Sequence, residues 1–419
     1  MKTTLKSICL IALVALGASC AKDDPEQPIQ TEGTLAVQAK VCEVTTITPP
    51  LTIGADATCA WTVEAAASET YGIANIASPS VQFVAGVAGE YKLKLAATKS
   101  GNSQTFTVTV TVGQAASTPS PYIAKIFEVL PAPGQFTNEL PLYADGDTKE
   151  TIAAKVADQM VGKEKSTLVS LGGFGGYITF GFDHTIVNVA GKRDLRILGN
   201  AFYANANPNP DAPKKGGSCE PGIVMVAYDR NKNGVPDPDE WYEIAGSEYH
   251  KPSTIKNYEI TYYRPTTEVN DPDAGGSYVT IKNYIRWEDN QGKSGYKEKN
   301  MFHSQTYYPK WITADKMTFK GTLVANNAID ESGVGNYWVL YALGFGYVDN
   351  VPNADDDAAI DISWAVDANG APVHLPGLDF VKVYNCLNQE AGWLGETSTE
   401  ICGAYDLHLR GESILTVKK

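Results

Sequence analysis

Positive charge is scarce: 34 Lys and Arg stand against 48 Asp and Glu in 419 residues, a net charge of −14. A nucleic-acid surface needs clustered Lys and Arg, so nucleic acid is excluded as a partner. Only five His and seven Cys occur, without CxxC, HxH or HExxH spacing, so no zinc centre is expected. No GxSxG elbow exists, and Gly217-Ser218-Cys219-Glu220 does not supply one. No apolar run approaches the ~20 residues that span a bilayer. Methionine is rare at five, against 22 Tyr, 12 Phe and seven Trp. That balance suits an aromatic-rich β protein better than a helical bundle. What is abundant is apolar material: 43% of residues, enough for a sizeable core and against disorder as the main state.

Met1-Lys2-Thr3-Thr4-Leu5-Lys6 precedes a short apolar run, Ile8 to Leu16, and then Gly17-Ala18-Ser19-Cys20. This reads as a signal peptide over residues 1–19. Leu16–Cys20 resembles a bacterial lipobox, which implies cleavage before Cys20 and acylation of that residue, palmitate included. Ala21-Lys22-Asp23-Asp24-Pro25-Glu26 resembles the acidic export signal of Bacteroidota lipoproteins. It implies an address on the outer face of the outer membrane, with lipid as the only membrane contact.

Residues 20–33 read as a lipidated, polar tether. Residues 34–113 read as a small β domain. Gln104–Val112 alternates strictly and puts Phe106, Val108, Val110 and Val112 on one face. Tyr91-Lys92-Leu93-Lys94-Leu95 alternates too, and Trp61 beside Cys59 reads as a core aromatic. The segment resembles the immunoglobulin-like PKD domains that space surface proteins from their anchors. Gln114–Pro121 is a Ser/Pro/Ala linker. Residues 122–419 form a larger domain with one helix, capped at Asp147-Thr148 and carrying Ile152, Val156 and Met160 at helical spacing. The rest is short strands, among them Tyr177–Phe182, Ile223–Tyr228, Tyr258–Tyr263, Tyr337–Tyr341 and Phe380–Tyr384. The chain is therefore expected to be mainly β, its larger domain sandwich- or jelly-roll-like.

Asp229-Arg230-Asn231-Lys232-Asn233-Gly234-Val235-Pro236-Asp237-Pro238-Asp239-Glu240 has the ligand spacing of an EF-hand-type calcium loop. Asp229, Asn231, Asn233, the Val235 carbonyl, Asp237 and Glu240 are the expected ligands of a structural calcium ion. The flanks are β-like, so the loop is expected to close a hairpin. The acidic stretch Asp349–Asp357 lacks fixed spacing and reads as a solvated loop. The Gly-rich run Leu171–Tyr177 enters a strand, so it reads as a tight-turning element and not as a phosphate cradle.

Beyond the signal and the acylated Cys20, Cys42, Cys59, Cys219, Cys386 and Cys402 remain in an oxidising compartment. Cys42 with Cys59 and Cys386 with Cys402 are the sequence-near disulfide candidates. Asp183 and His184 are adjacent in a strand, hence expected on opposite faces and not a dyad. No pair of carboxylates is marked for acid–base work, although a glycosidase's two acids need not be close in sequence. No catalytic residue is assigned and the chain is expected not to be an enzyme. Trp393, in a polar Gly-flanked run, with Trp287 and Trp311, are the candidates for a ligand-stacking platform.

Leu130–Phe136, Ser170–Asp183, Leu198-Gly199-Asn200-Ala201-Phe202, Glu220-Pro221-Gly222-Ile223-Val224, Asp239–Glu248, Asp379–Tyr384 and Gly392–Glu400 together resemble a family of Bacteroidota cell surface lipoproteins with an N-terminal PKD-like domain. The resemblance covers nearly all of residues 122–419. It implies an outer-surface uptake system, and some such proteins are similar to cobalamin-binding lipoproteins that assist TonB-dependent transporters. It carries over no ligand residues by position. The expected function is capture of cobalamin or a related corrinoid for such a transporter. The alternatives are a glycan-binding surface lipoprotein and a secreted glycoside hydrolase.

Overall fold

A computed structural model describes residues 30–204, 215–274 and 278–416. The signal peptide, Cys20 and the tether as far as residue 29 lie outside the described residues. No described helix is long and apolar enough to cross a membrane.

The chain is mainly β. Seven strands form the N-terminal domain: β1 (Gln30–Lys40), β2 (Thr45–Ile47), β3 (Thr58–Ala65), β4 (Tyr71–Ala74), β5 (Val81–Ala85), β6 (Gly89–Lys99) and β7 (Asn102–Gly113). They make two sheets, ordered β1-β7-β6-β3 and β2-β5-β4. The first strand begins inside the stretch read as tether, with Gln30 opposite Ser103 in a parallel pair. Phe106, Val108, Val110 and Val112 face the core as the alternation requires, together with Trp61, Tyr91, Leu93 and Leu95.

In the larger domain, β8 (Lys125–Leu130), β9 (Tyr177–Val187), β10 (Gly222–Ala227), β11 (Trp241–Ile244), β12 (Ile255–Tyr263), β13 (Val279–Asp289), β14 (Ser294–Asn300), β15 (Lys316–Leu323), β16 (Ala365–Val366) and β17 (Gly377–Asn385) carry the architecture. One sheet runs β16-β11-β10-β17-β9-β8, and the short strand Tyr347–Val348 also pairs with β10. A second sheet runs β14-β13-β12-β15. Helix α1 (Lys149–Met160) starts at Thr148, whose side chain accepts from Thr151 N while Thr151 answers the cap backbone. The capping partner is thus Thr151, three residues after the cap. Ile152, Val156 and Met160 are fully buried.

The Gly-rich run is a packing element. A Cβ on Gly172, at φ 67°, would meet Ala132 O at 2.0 Å, and one on Gly176 would meet Leu171 O at 1.8 Å.

Two expectations are corrected. The thiols of Cys42, Cys59, Cys386 and Cys402 are free and buried, as is Cys219, so neither disulfide forms. Cys386 donates to Pro221 O at 2.9 Å and Cys402 to Gly199 O at 3.6 Å, in separate apolar clusters. Cys59 donates to Ala57 O at 3.4 Å. Cys42 sits towards the domain contact, where burial and then the charges of Asp406 and Asp183 push its thiol up to about 12.

The second correction concerns His184. The register of β9 shifts between Gly181 and Ile186, which breaks the strict alternation. His184 Nδ1 therefore reaches Asp183 Oδ1 at 2.8 Å, while Nε2 meets Asp406 Oδ2 at 2.9 Å. Burial works against charge on this ring, but the hydrogen bonds and charges of Asp406 and Asp183 outweigh it and raise its pKa. The side chain is 2% exposed, so this is a packed ion cluster. Beside it Thr185 N donates to Cys42 O at 3.0 Å, and Val44, Val84, Val187, Val189 and Tyr228 form a small apolar cluster joining the domains.

Candidate functional site

Strand alternation gives the seven-stranded sheet two different faces. Ile178, Phe180, Val224, Val226, Val381 and Val383 point into the core. Their neighbours Tyr177, Met225, Trp241, Glu243, Lys382 and Tyr384 line a cleft of about 540 Å³. Register brings them together: Tyr177 lies opposite Tyr384, Lys382 opposite Met225, and Met225 opposite Glu243. Residues Thr318–Thr322 of the edge strand β15 form the facing wall, and Tyr249, Lys256 and Asn257 close one end.

The cleft carries both charged and aromatic groups. Lys256 Nζ is buried and has no hydrogen-bond partner. It lies 2.6 Å from the Tyr249 ring centroid and 3.8 Å from Glu243 Oε1. Burial lowers the ammonium to about 8, with Glu243 pulling the other way. Lys382 Nζ lies 3.7 Å from the Tyr177 centroid. Burial lowers its pKa too, opposed by Glu128. Glu243 Oε2 accepts from Thr322 Oγ1 at 2.8 Å and from Tyr384 OH at 3.4 Å. Burial raises the Glu243 carboxyl, and Lys256, Thr322 and Tyr384 draw it back. Three ammonium groups (Lys256, Lys320 and Lys382), two acids (Glu243 and Asp367) and the faces of Tyr177, Tyr249 and Trp241 suit a ring-shaped, oxygen-rich ligand. Apolar faces stack, and a few polar groups fix orientation.

The tryptophan candidates do not converge on this cleft. Trp393 is 40% exposed and meets Phe302 edge-on, centroids 6.3 Å apart. Trp311 is 7% exposed and stacks on Tyr143 within the core. Trp287 is partly buried on β13, packed against Gly295. The cleft aromatics had a weaker signal. Lys382 and Glu243 are polar residues at alternate positions of otherwise apolar strands, which marks a face that is covered but wet. The facing strand β15 is remote in sequence, and no pattern announces it.

The loop from Asp229 to Glu240 does close the β10–β11 hairpin. Asp229 Oδ1 accepts from Asn233 N at 3.1 Å and Oδ2 from Gly234 N at 2.8 Å. Asn231 and Asn233 direct their amides at Asp237 Oδ2, at 2.6 and 2.9 Å. These four oxygen-bearing side chains share the inside of the turn, as a calcium ion requires. Glu240 is 1% exposed, and both its oxygens accept backbone N–H groups, from Arg230 at 2.9 Å and Asp237 at 3.3 Å. Asp229 and Asp237 offer oxygens as they stand, while Asn231 and Asn233 would have to turn their amide NH2 groups away from Asp237 to present oxygen. Glu240 fits only after trading its backbone bonds.

The acidic stretch is more ordered than its composition suggested. Asp349 is 4% exposed and Asn350 is fully buried. Asp357 pairs with Arg193 at 2.7 Å and Asp355 with Lys215 at 2.9 Å.

No family model matches the sequence, and no curated protein does. Among solved structures, the PKD domain of human KIAA0319 aligns over 24% of this chain and 98% of its own, with 14% identity and a TM-score of 0.17. An I-band fragment of titin covers 61% of this chain and 84% of its own, with 10% identity and a TM-score of 0.16. A chimeric titin fragment bearing a decorin peptide covers 42% of this chain and 67% of its own, with 9% identity and a TM-score of 0.15. These are weak likenesses to PKD and immunoglobulin-like domains, and they carry no argument about function.

Proposed function

We propose that this chain is a surface lipoprotein that captures a nutrient ligand in the cleft between β11, β17 and β15 and passes it to a TonB-dependent transporter. The observation that supports the reading best is Lys256, whose ammonium is buried at the cleft without a hydrogen-bond partner. A buried donor left open is costly unless a ligand answers it. The sequence resemblance favours a corrinoid, whose rim of amide carbonyls could answer Lys256 and Lys382. The cleft volume, about 540 Å³, favours a glycan of one or two rings, or entry of a corrin by one edge only. The hairpin loop is proposed to hold a structural calcium ion, and Cys20 the lipid anchor.

Calorimetry of the chain with cyanocobalamin and with a glycan panel tests the ligand. Heat with the corrinoid that is lost in Lys256→Met supports capture at this cleft. Heat with a glycan alone, lost in the same variant, selects the second ligand. Turnover of a glycoside without stable binding refutes capture. Protease shaving of intact cells tests the address: protection until lysis refutes surface exposure.

A further inference from the structure

A second cluster of acids lies at the other end of β10 from the hairpin loop. Glu220 stands just before that strand, Asp349 just after Tyr347–Val348, and Glu400 opens the short strand Glu400–Ile401. One oxygen from each lies within 4.8 Å of the others. Asp349 and Glu400 are each 4% exposed, while Glu220 is half-buried and opens the cluster to solvent. Among the described residues, no Lys, Arg or His makes an ion pair with any of the three.

The backbone holds the acids in place without saturating them. Asp349 Oδ1 accepts from Asn200 N and Ala201 N, each at 2.8 Å, and Oδ2 from Glu400 N at 2.8 Å. Glu220 Oε1 accepts from Ser398 N at 3.2 Å and Oε2 from Ser218 Oγ at 3.3 Å. Glu400 Oε1 is buried and has no partner at all. Each carboxylate oxygen can accept about two hydrogen bonds, so Glu220 and Glu400 keep open lone pairs, and Asp349 gains one when the Asn200 NH2 is displaced. The Asn200 side-chain amide lies against both Asp349 oxygens, at 3.0 and 3.2 Å. Its NH2 donates to both, and its oxygen faces away from the carboxylates. Gly199 allows this approach, since a Cβ on it would lie 2.4 Å from Asp349 Oδ1.

We propose that Glu220, Asp349 and Glu400 form a binding site for a hard divalent cation, calcium by preference. Three carboxylates are hard oxygen donors, the kind that calcium takes. Magnesium is usually held through one or two carboxylates and keeps several waters, so three carboxylates drawn together favour calcium. The ion would join three chain connections that are remote in sequence. It is independent of the hairpin loop and of the cleft.

The test uses the full chain with Asp229→Ala, which removes the first ligand of the exposed hairpin loop and leaves the cluster intact. The protein is stripped with EDTA, then titrated with Ca2+, Mg2+ and Mn2+ by calorimetry and by thermal melting. The expected result is one Ca2+ per chain, with a raised melting temperature. Glu220→Gln on that background should weaken Ca2+ binding at least tenfold. Glu220 is half-buried, so this variant should fold, and near-UV circular dichroism checks that it does. A stripped Asp229→Ala chain that takes up no divalent ion, with an unmoved melting curve, overturns the proposal whatever the cluster variants do. Unchanged Ca2+ affinity in folded Glu220→Gln overturns it as well. Neither result bears on ligand capture, which is read with other probes.

Discussion

Replacing Lys256 by Met should make the empty protein more stable while abolishing capture. The ammonium sits at about 8 in the fold against 10.5 in the open chain. At about 1.36 kcal/mol per tenfold, burial disfavours the charge by about 3 kcal/mol. The Lys256 side chain is 35% exposed, and solvent screening at that exposure cuts the cost to roughly half. Met keeps the stem that packs on Tyr249 and deletes the charge. Glu243 then loses its partner at 3.8 Å but keeps Thr322 and Tyr384. That loss offsets part of the gain and leaves about 1 kcal/mol, on the order of 2 °C in melting temperature. The pH dependence carries the sign. Below pH 8 both folded and unfolded chains hold the proton, so the wild type bears the full penalty. From about pH 8 to 10.5 the fold sheds the proton first, and wild-type stability rises relative to the variant. Ligand affinity should run the opposite way, falling as the ammonium is lost above pH 8. Thermal melts at pH 7 and pH 9.5, with calorimetry at the same values, read both. A Lys256→Met protein that melts lower at pH 7, or whose difference from wild type is the same at both pH values, refutes the argument that Lys256 is held at a cost.

Three further outcomes are expected. EDTA should lower the melting temperature, and Asp229→Ala with Glu240→Ala should remove the loop's share of that response; a bound ion at a hundredfold excess over its dissociation constant supplies roughly 2.7 kcal/mol. Thiol titration should find Cys42, Cys59, Cys219, Cys386 and Cys402 unreactive in the fold and all five reactive after unfolding; a shortfall of two would restore a disulfide. Trp241→Ala should weaken ligand binding by roughly 1–3 kcal/mol with little change in melting, whereas Trp311→Ala should cost about 3–5 kcal/mol of stability because its indole is core; equal effects on binding would relocate the site.

Much of the fold was legible because it follows from period and capping. Phe106 to Val112 announced a half-buried strand, and Thr148 with Ile152, Val156 and Met160 announced the helix, since these are local regularities. The hairpin loop was legible for the same reason. The cleft was not, because it arises where β15 meets β11 and β17, and such contacts leave no local spacing. Trp311 shows why an indole is a weak pointer to a ligand: its apolar area is more often spent on packing. Asp183 and His184 misled because strict alternation was assumed through a strand whose register shifts between Gly181 and Ile186.

That shift has an architectural consequence. Up to Gly181, β9 serves the interior sheet; the next four residues place His184 between two aspartates and Thr185 N on Cys42 O, and only then does pairing resume at Ile186. Ser120 N also reaches Asp183, at 3.2 Å to each carboxylate oxygen, so the interdomain connector is fastened at the same place. The Ser/Pro stretch is therefore a hinge with its pin inserted. These residues of one strand, with the apolar cluster of Val44, Val84, Val187, Val189 and Tyr228, fix how the cleft sits relative to the N-terminal domain, and inserting or deleting a single residue there would re-aim the larger domain.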